Sequence, residues 1–379
     1  MKILQIHNQY KEWGGEDAVV DNERSLLMAV GHEVASPPVR NSTTGALLST
    51  RQAWYRSLEA QLTHESFDVA HIHNLYSCVG NAVYPLLKKY TIPIVQTLHN
   101  YRLLCANGCL LDGDNKVCRL CTKGNFMHGV VKKCYRRNYL QSAFMSMQIW
   151  EGRAMALRYV DTFVAVSEFV RQEYAANGFP SDRIVVKPNY VYQPDYTSPV
   201  SDQGYALYLG RLSPEKGVHN LIRVFVDNGH NLKIVGDGPL RPELEAMAAG
   251  SPNIEFLGYI QGEQKETLFR ECSFVVVPSE WYETFGMVVQ EAYNYGKVVL
   301  AANIGALPYH VKDQTHLFEP GSFSGLRAAV DRQLYKLRLG QPTAHVCGNF
   351  QTPAQATQAL VDVYVGCQHK QLASSSVSV

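Results

Sequence analysis

The stretch A-L-Y-L-G-R-L-S-P-E-K-G, residues 206–217, runs from a short apolar segment through a Gly/Ser/Pro turn into an amphipathic segment that continues to Asp227. An apolar run of this length, closed by turn residues and followed by a 3.6-residue period, reads as a strand entering a helix in a parallel sheet. The alternation repeats downstream. Strands are expected at Ala206–Gly210, Leu232–Val235, Ile254–Leu257, Phe274–Val277, Val298–Ala301 and His316–Phe318, and helices near Gly217–Asp227, Pro239–Ala248, Gly262–Cys272, Gly286–Tyr295 and Phe323–Leu337. Upstream, Ile3–His7, Val69–His73, Ile94–Leu98, Phe163–Val166 and Ile184–Lys187 read as strands separated by segments long enough for crossover helices. A helix is expected over Glu16–Val30, and Ser167 is placed to cap one that opens at Glu168. Between the two halves, Pro188–Pro199 is rich in Pro, Tyr, Asn and Ser without apolar periodicity, as in an interdomain linker. The expectation is an α/β chain of two doubly wound, Rossmann-like parallel-sheet domains, 1–190 and 191–372. The last helix, Pro353–Cys367, either closes the second domain or crosses back to the first.

Bulk properties agree with two cores and narrow the partners. The chain has 379 residues, 46% of them hydrophobic and 18% charged, with a formal net charge of +1. A near-neutral chain has no global field for nucleic acid, so no nucleic-acid partner is expected. No run reaches membrane-span length, and M-K-I-L-Q-I-H reads as a first strand rather than a leader, which places the chain in the cytoplasm. Nine cysteines are present, five of them clustered between Cys105 and Cys134. That clustering argues against disulfides spanning the fold.

Arg211 follows a strand directly and Lys216 lies at the start of the next helix, so both cations converge on the crevice at the strand's carboxyl end. A planar guanidinium fork beside a compact ammonium suits a diphosphate and stabilises the negative charge of a departing phosphate. Downstream, P-S-E-W-Y-E-T-F-G-M-V-V-Q-E-A, residues 278–292, carries Glu283 and Glu291. Eight helical residues would put them about 12 Å apart along the axis and about 80° apart around it. Such a pair is no acid/base dyad but can hold opposite ends of an elongated ligand. Between them Thr284, Phe285 and Gly286 lead into a helix whose free N–H groups favour phosphate. Gly14-Gly15 opens the first helix in the corresponding position. Gly236 and Gly238 stand at another such turn, but Arg241 replaces the third glycine of a dinucleotide fingerprint, and that cofactor is not expected.

Taken together, G-R-L-S-P-E-K-G, the spaced glutamates, I-V-G-D-G-P at 234–239, V-A-V-S-E at 164–168 and T-L-H-N at 97–100 resemble, in order, the retaining GT-B transferases of glycosyltransferase family four. The resemblance implies two domains facing across a cleft and transfer of a sugar from a nucleotide-diphosphate sugar, UDP- or GDP-linked, to a glycan, glycolipid or other hydroxyl acceptor. It implies that Arg211 and Lys216 bind the diphosphate and Glu291 the ribose, while Glu283 and the backbone of Thr284, Phe285, Gly286 and Met287 hold the sugar. His99 would lie near the reacting carbon, with Gly14 and Gly15 on the phosphate or acceptor side. His99 read without the resemblance could equally be a satisfied buried histidine. Asn100 stands where an aspartate is common. No catalytic metal or cofactor is implied. Two rivals share the architecture: a nucleotide-sugar epimerase and a non-catalytic binding protein.

Two features lie outside this scheme. Cys105, Cys109, Cys118, Cys121 and Cys134 have spacings compatible with a structural zinc held by four of them, and equally with reduced packing thiols or a local disulfide. Lys132, Lys133, Arg136 and Arg137 form either a solvated face or a patch drawn to lipid phosphates or an anionic acceptor, the latter implying peripheral contact with the inner membrane surface.

Overall fold

The computed structural model of the protein describes residues 1–10, 14–39, 47–76, 78–192, 202–340 and 351–376. The chain divides into two units: Met1–Tyr190 with Gln351–Val379, and Val191–Phe350. The second unit therefore ends at 350 rather than 372. Most of the expected linker lies outside the described residues.

The first unit is built on strands β1 (Lys2–Ile6), β2 (Glu33–Ala35), β3 (Val69–Ile72), β4 (Ile94–Leu98), β5 (Thr162–Ala165) and β6 (Ile184–Val186). They form one parallel sheet in the order β2-β1-β3-β4-β5-β6. Every residue of β3, β4 and β5 is buried, as expected of strands covered on both faces by crossover helices. Those helices are α1 (Gly15–Ala29), α2 (Leu47–His64), α3 (Val83–Lys89), α4 (Met127–Val131), α5 (Tyr139–Tyr159) and α6 (Glu168–Ala176). Ser167 caps α6 by accepting from the Val170 amide at 3.2 Å. β2 has no counterpart in the sequence reading, because three residues with Glu33 exposed carry too little period to register.

The second unit repeats the plan with β7 (Tyr205–Leu209), β8 (Asn231–Val235), β9 (Ile254–Gly258), β10 (Phe274–Val277), β11 (Val298–Ala302) and β12 (Leu317–Phe318), parallel in the order β12-β11-β10-β7-β8-β9. Its helices are α7 (Val218–Asn228), α8 (Arg241–Met247), α9 (Gly262–Glu271), α10 (Met287–Asn294), α11 (Leu307–His310) and α12 (Phe323–Arg338). The last helix, α13 (Pro353–Ser376), returns to the first unit. There Leu360, Tyr364 and Cys367 pack with Ile3, Leu27, Val69, Val95 and Val164.

Strand order reverses between β1 and β3 in one sheet and between β7 and β10 in the other. Loops leaving the carboxyl ends of such strand pairs diverge to opposite faces and open a crevice. The residues of interest stand at these two places. A separate hollow of about 490 Å³ in the second unit lies beside Tyr205, Asn231 and Glu255, at the amino ends of the strands and away from that crevice.

Candidate functional site

In the second unit, the loops after β7 and β10 are held together by glycines that tolerate no side chain. Gly217 has φ +66°, and a Cβ there would lie 2.1 Å from the Pro278 carbonyl oxygen. Gly236, at φ +133°, lets the loop after β8 reach within 1.9 Å of the Gly210 oxygen, measured from the same imagined atom. Backbone bonds from Leu212 N to Asp237 O (2.9 Å) and from Leu240 N to Leu212 O (3.0 Å) lock that contact. The result places Lys216 against Glu283. Its ammonium donates to Glu283 Oε1 at 2.6 Å and lies 5.1 Å from the centre of the Trp281 ring, while Ser279 Oγ donates to the same carboxylate oxygen at 2.7 Å. Glu283 is only 8% exposed. Burial alone would raise its carboxyl, but the Lys216 charge and the hydrogen bonds outweigh that and hold it below the usual glutamate value.

Glu283 precedes α10 rather than belonging to it. Gly286, at φ +82°, is the N-terminal flank of that helix, and Leu307 Cδ2 would stand 2.8 Å from a Cβ there. Phe285 is buried with its ring edge-on to His310 at 4.8 Å, and Met287 opens the helix. Glu291 lies one turn further along and accepts from Lys265 Nζ on α9 at 2.6 Å. The two glutamates thus occupy separate positions, each with its own lysine. Arg211 sits exposed at the mouth of β7, its carbonyl accepting from the Tyr208 hydroxyl at 3.0 Å.

In the first unit, His99 lies just past β4 and His73 just past β3. His73 Nδ1 and His99 Nε2 are 2.9 Å apart, and the two rings are stacked at 5.2 Å. Behind them His71 bonds Tyr364 Oη at 2.8 Å and Thr97 Oγ1 at 2.7 Å, and buried Lys187 pairs with buried Glu23. Burial pushes His71 down to about 4 and His73 and His99 below the ordinary histidine value, so the stack is neutral at pH 7. Glu23, His71 and His73 have ligand atoms within 4.8 Å of one another, the one such trio among the described residues. Lys187 already supplies its cation, and both His71 nitrogens are engaged, so the trio does not suit a metal ion. A cavity of about 20 Å³ touches His73, His99 and Asn100, room for roughly one water.

Gly14 and Gly15 open α1 beside this stack. Gly14 has extended backbone (φ −130°), its N–H donating to Asp17 Oδ2 at 2.9 Å, and a Cβ on Gly15 would meet nothing within 4 Å. Among the described residues, neither backbone conformation nor crowding requires glycine at position 15.

Two family models match, and between them they cover most of both units. Glycosyltransferase Family 4 matches residues 14–192 and Glycosyl transferases group 1 matches residues 196–338. This chain belongs to the group 1 and family 4 glycosyltransferases. An uncharacterized glycosyltransferase of Methanocaldococcus jannaschii is 32% identical over 149 residues, 39% of this chain and 41% of the relative. The O-antigen chain mannosyltransferase B of Escherichia coli is 26% identical over 194 residues, 45% of this chain and 51% of that one. The chain thus aligns with about half or less of the length of these relatives. Among solved structures, sucrose-phosphate synthase from Thermosynechococcus elongatus superposes with a TM-score of 0.68 at 18% identity, covering 99% of both chains. The Anabaena HepE complex with UDP and glucose gives 0.62 at 17% identity over 100% of both. At such identities these structures share the GT-B fold with this chain.

In the cysteine-rich segment the five cysteines between Cys105 and Cys134 form no disulfide with one another. Among the described residues, no three of their sulfurs lie within 4.8 Å of one another. Cys105 Sγ donates to Asn107 Oδ1 at 3.0 Å and Cys109 Sγ to the Asn107 carbonyl at 3.7 Å. Burial beside Phe126, Met145 and Ile149 pushes Cys121 up to about 12, with Cys105, Cys134 and Cys118 near enough to add to it, and burial pushes Cys134 up to about 11, helped by Cys105 and Cys118.

Three site residues escaped the sequence reading. Lys265 sits on α9 and reaches Glu291 across space, with no sequence signal to link them. Gly305, at φ +63°, packs so close that a Cβ would lie 2.4 Å from the Glu283 nitrogen, and the next amide, Ala306 N, donates to Glu283 O at 2.8 Å. Its position just after β11 was the available clue. Glu16, in the first turn of α1, accepts from Asn100 Nδ2 at 3.2 Å and from the Tyr10 hydroxyl at 2.9 Å, so a carboxylate faces the position where asparagine replaces the common aspartate.

Proposed function

We propose that this protein transfers a sugar from a nucleotide-diphosphate sugar to a hydroxyl of a glycan or glycolipid, with retention at the anomeric carbon. The observation that carries the reading is the Lys216–Glu283 contact at the strand-order reversal of the second sheet, directly before the bare N-terminus of α10. An ammonium has three protons to donate, so Lys216 can keep Glu283 while also meeting a phosphate oxygen. With Arg211 it would bind the donor diphosphate, Glu283 and the backbone of 284–287 would hold the sugar, and Glu291, steadied by Lys265, would take the ribose hydroxyls. In the first unit His99 would act as a neutral hydrogen-bonding group near the sugar. Gly14-Gly15, whose lack of side chains the fold does not explain, would admit the phosphate or acceptor.

The bond from the anomeric carbon to the diphosphate oxygen breaks, the acceptor oxygen bonds to that carbon, and the acceptor proton passes to the departing diphosphate on the same face. Lys216, Arg211 and the helix N-terminus stabilise the charge that builds on the leaving group. This chemistry needs no separate general base. UDP is bound in the Anabaena structure and ADP in a starch synthase that superposes at a TM-score of 0.67, which puts both nucleotides beside GDP in the test.

A thermal-shift screen over UDP-, GDP- and ADP-sugars checks the donor. A matching donor at a hundredfold excess over its Kd stabilises by about 2.7 kcal/mol. The stabilising sugar, incubated with glycan and glycolipid acceptors, should release nucleoside diphosphate and give a product whose anomeric configuration by NMR matches the donor. Glu291→Ala should abolish the stabilisation. No shift with any activated sugar, and no diphosphate release, would end the reading.

A further inference from the structure

Helix α5 is apolar on two opposite faces. One face, carrying Ser142, Met145, Ser146, Ile149, Gly152 and Ala156, is buried in the first unit. The other displays Leu140, Phe144, Met147 and Trp150 at steps of four, three and three residues, with Leu140 82% and Trp150 62% exposed. On α4, packed beside it, Met127 and Val131 are exposed as well. A helix apolar all round is ordinarily covered, and a contiguous apolar surface of this kind marks an interaction site.

The surrounding charge says what covers it. Residues 115–150 hold seven Lys or Arg side chains and no Asp or Glu, in a chain whose formal net charge is only +1. Three of these cations, Lys133, Arg136 and Arg137, lie in the turn between the two helices with φ of 49°, 52° and 53°. The left-handed region is costly for side-chain-bearing residues and is retained where it displays a functional group. Lys133 lies over the Tyr139 ring at 4.4 Å, its charge held at the margin of the apolar stripe.

We propose that the α4–α5 face seats on the surface of an anionic phospholipid bilayer, with Leu140, Phe144, Met147 and Trp150 entering the headgroup boundary and Lys133, Arg136 and Arg137 meeting lipid phosphates. A second copy of this chain is a poor occupant, because a twofold contact would set cation against cation. No described helix is long and apolar enough to cross a membrane, and the geometry is that of a helix lying in the interface. The proposal does not depend on the sugar-transfer chemistry above.

Co-sedimentation of the full chain with extruded vesicles tests it, comparing pure phosphatidylcholine with a mixture containing roughly one-third phosphatidylglycerol. Partitioning should favour the anionic vesicles by at least about tenfold and weaken with salt. A variant carrying Lys133→Gln, Arg136→Gln and Arg137→Gln should lose about fivefold per cation. A second variant, Phe144→Ser with Met147→Ser and Trp150→Ser, should lose binding at unchanged charge, and both should keep the parent's unfolding midpoint because Lys133 is half-buried and the other five side chains are exposed. Equal binding to the two vesicle types, or triple variants that bind as the parent does, would overturn the proposal. So would absent vesicle binding together with a dimer in light scattering that the serine variant dissociates, since a second copy would then cover the face.

Discussion

Lys216 and Glu283 form a largely buried pair, and its removal has a thermodynamic signature that a surface lysine would not give. Lys216→Met leaves the Glu283 carboxylate buried, with the Ser279 hydroxyl still donating to it. The loss at pH 7 should be about 1–3 kcal/mol in urea unfolding. Because the folded carboxyl is held below its unfolded value, the pair stabilises above the unfolded pKa, and its contribution fades as pH falls through the folded one. The variant's deficit should therefore shrink in acid. Adding Glu283→Gln should recover most of the stability at pH 7 but none of the donor turnover, which separates the role in folding from the role in the site. Gly305→Ala tests the scaffold: its Cβ would overlap Glu283 backbone atoms in a left-handed conformation, for an expected loss of about 1–3 kcal/mol and weaker donor binding with Lys216 intact.

At the scale of elements, β3 and β4 carry the histidine stack into a buried setting that α13 completes. The Tyr364 hydroxyl on α13 bonds His71 Nδ1 at 2.8 Å, so Tyr364→Phe removes a buried partner and should cost about 1–2 kcal/mol. The stack also sets a pH dependence. His71 is neutral when folded, with its value pushed down to about 4, while the unfolded imidazole takes a proton near 6.5. The unfolded state then binds the extra proton between those limits, so stability should hold above pH 6.5 and fall as pH drops toward 4, by up to about 3 kcal/mol from this group. Chemical denaturation from pH 8 to 4 measures the slope, and His71→Gln should flatten it. A slope unchanged in that variant would assign the acid loss elsewhere.

At the scale of the molecule, the final helix belongs to the first unit although more than 150 residues of the second precede it in the chain. Leu360, Tyr364 and Cys367 are almost wholly buried among residues of β1, β3, β4 and β5 and of α1. A chain ending at 350 should lose the cooperative unfolding of the first unit, seen as rapid proteolysis within residues 1–190 while residues 202–340 stay protected. The strands were legible because parallel strands buried on both faces read as continuous apolar runs, and β4 and β10 fall where those runs begin and end. The cations, glutamates and glycines of the second unit were legible because turns at strand ends need particular residues at short spacing. Sequence by itself therefore determined two parallel sheets and which strand-end loops gather the cations, glutamates and glycines, since these rest on local period and local turn geometry. Only the tertiary structure decided the partners: Lys216 with Glu283, Lys265 with Glu291, Glu16 with Asn100, and α13 with the first unit. Each of those depends on atoms meeting across the sheet or between helices, where burial and charge at close range set the outcome and chain distance carries no information.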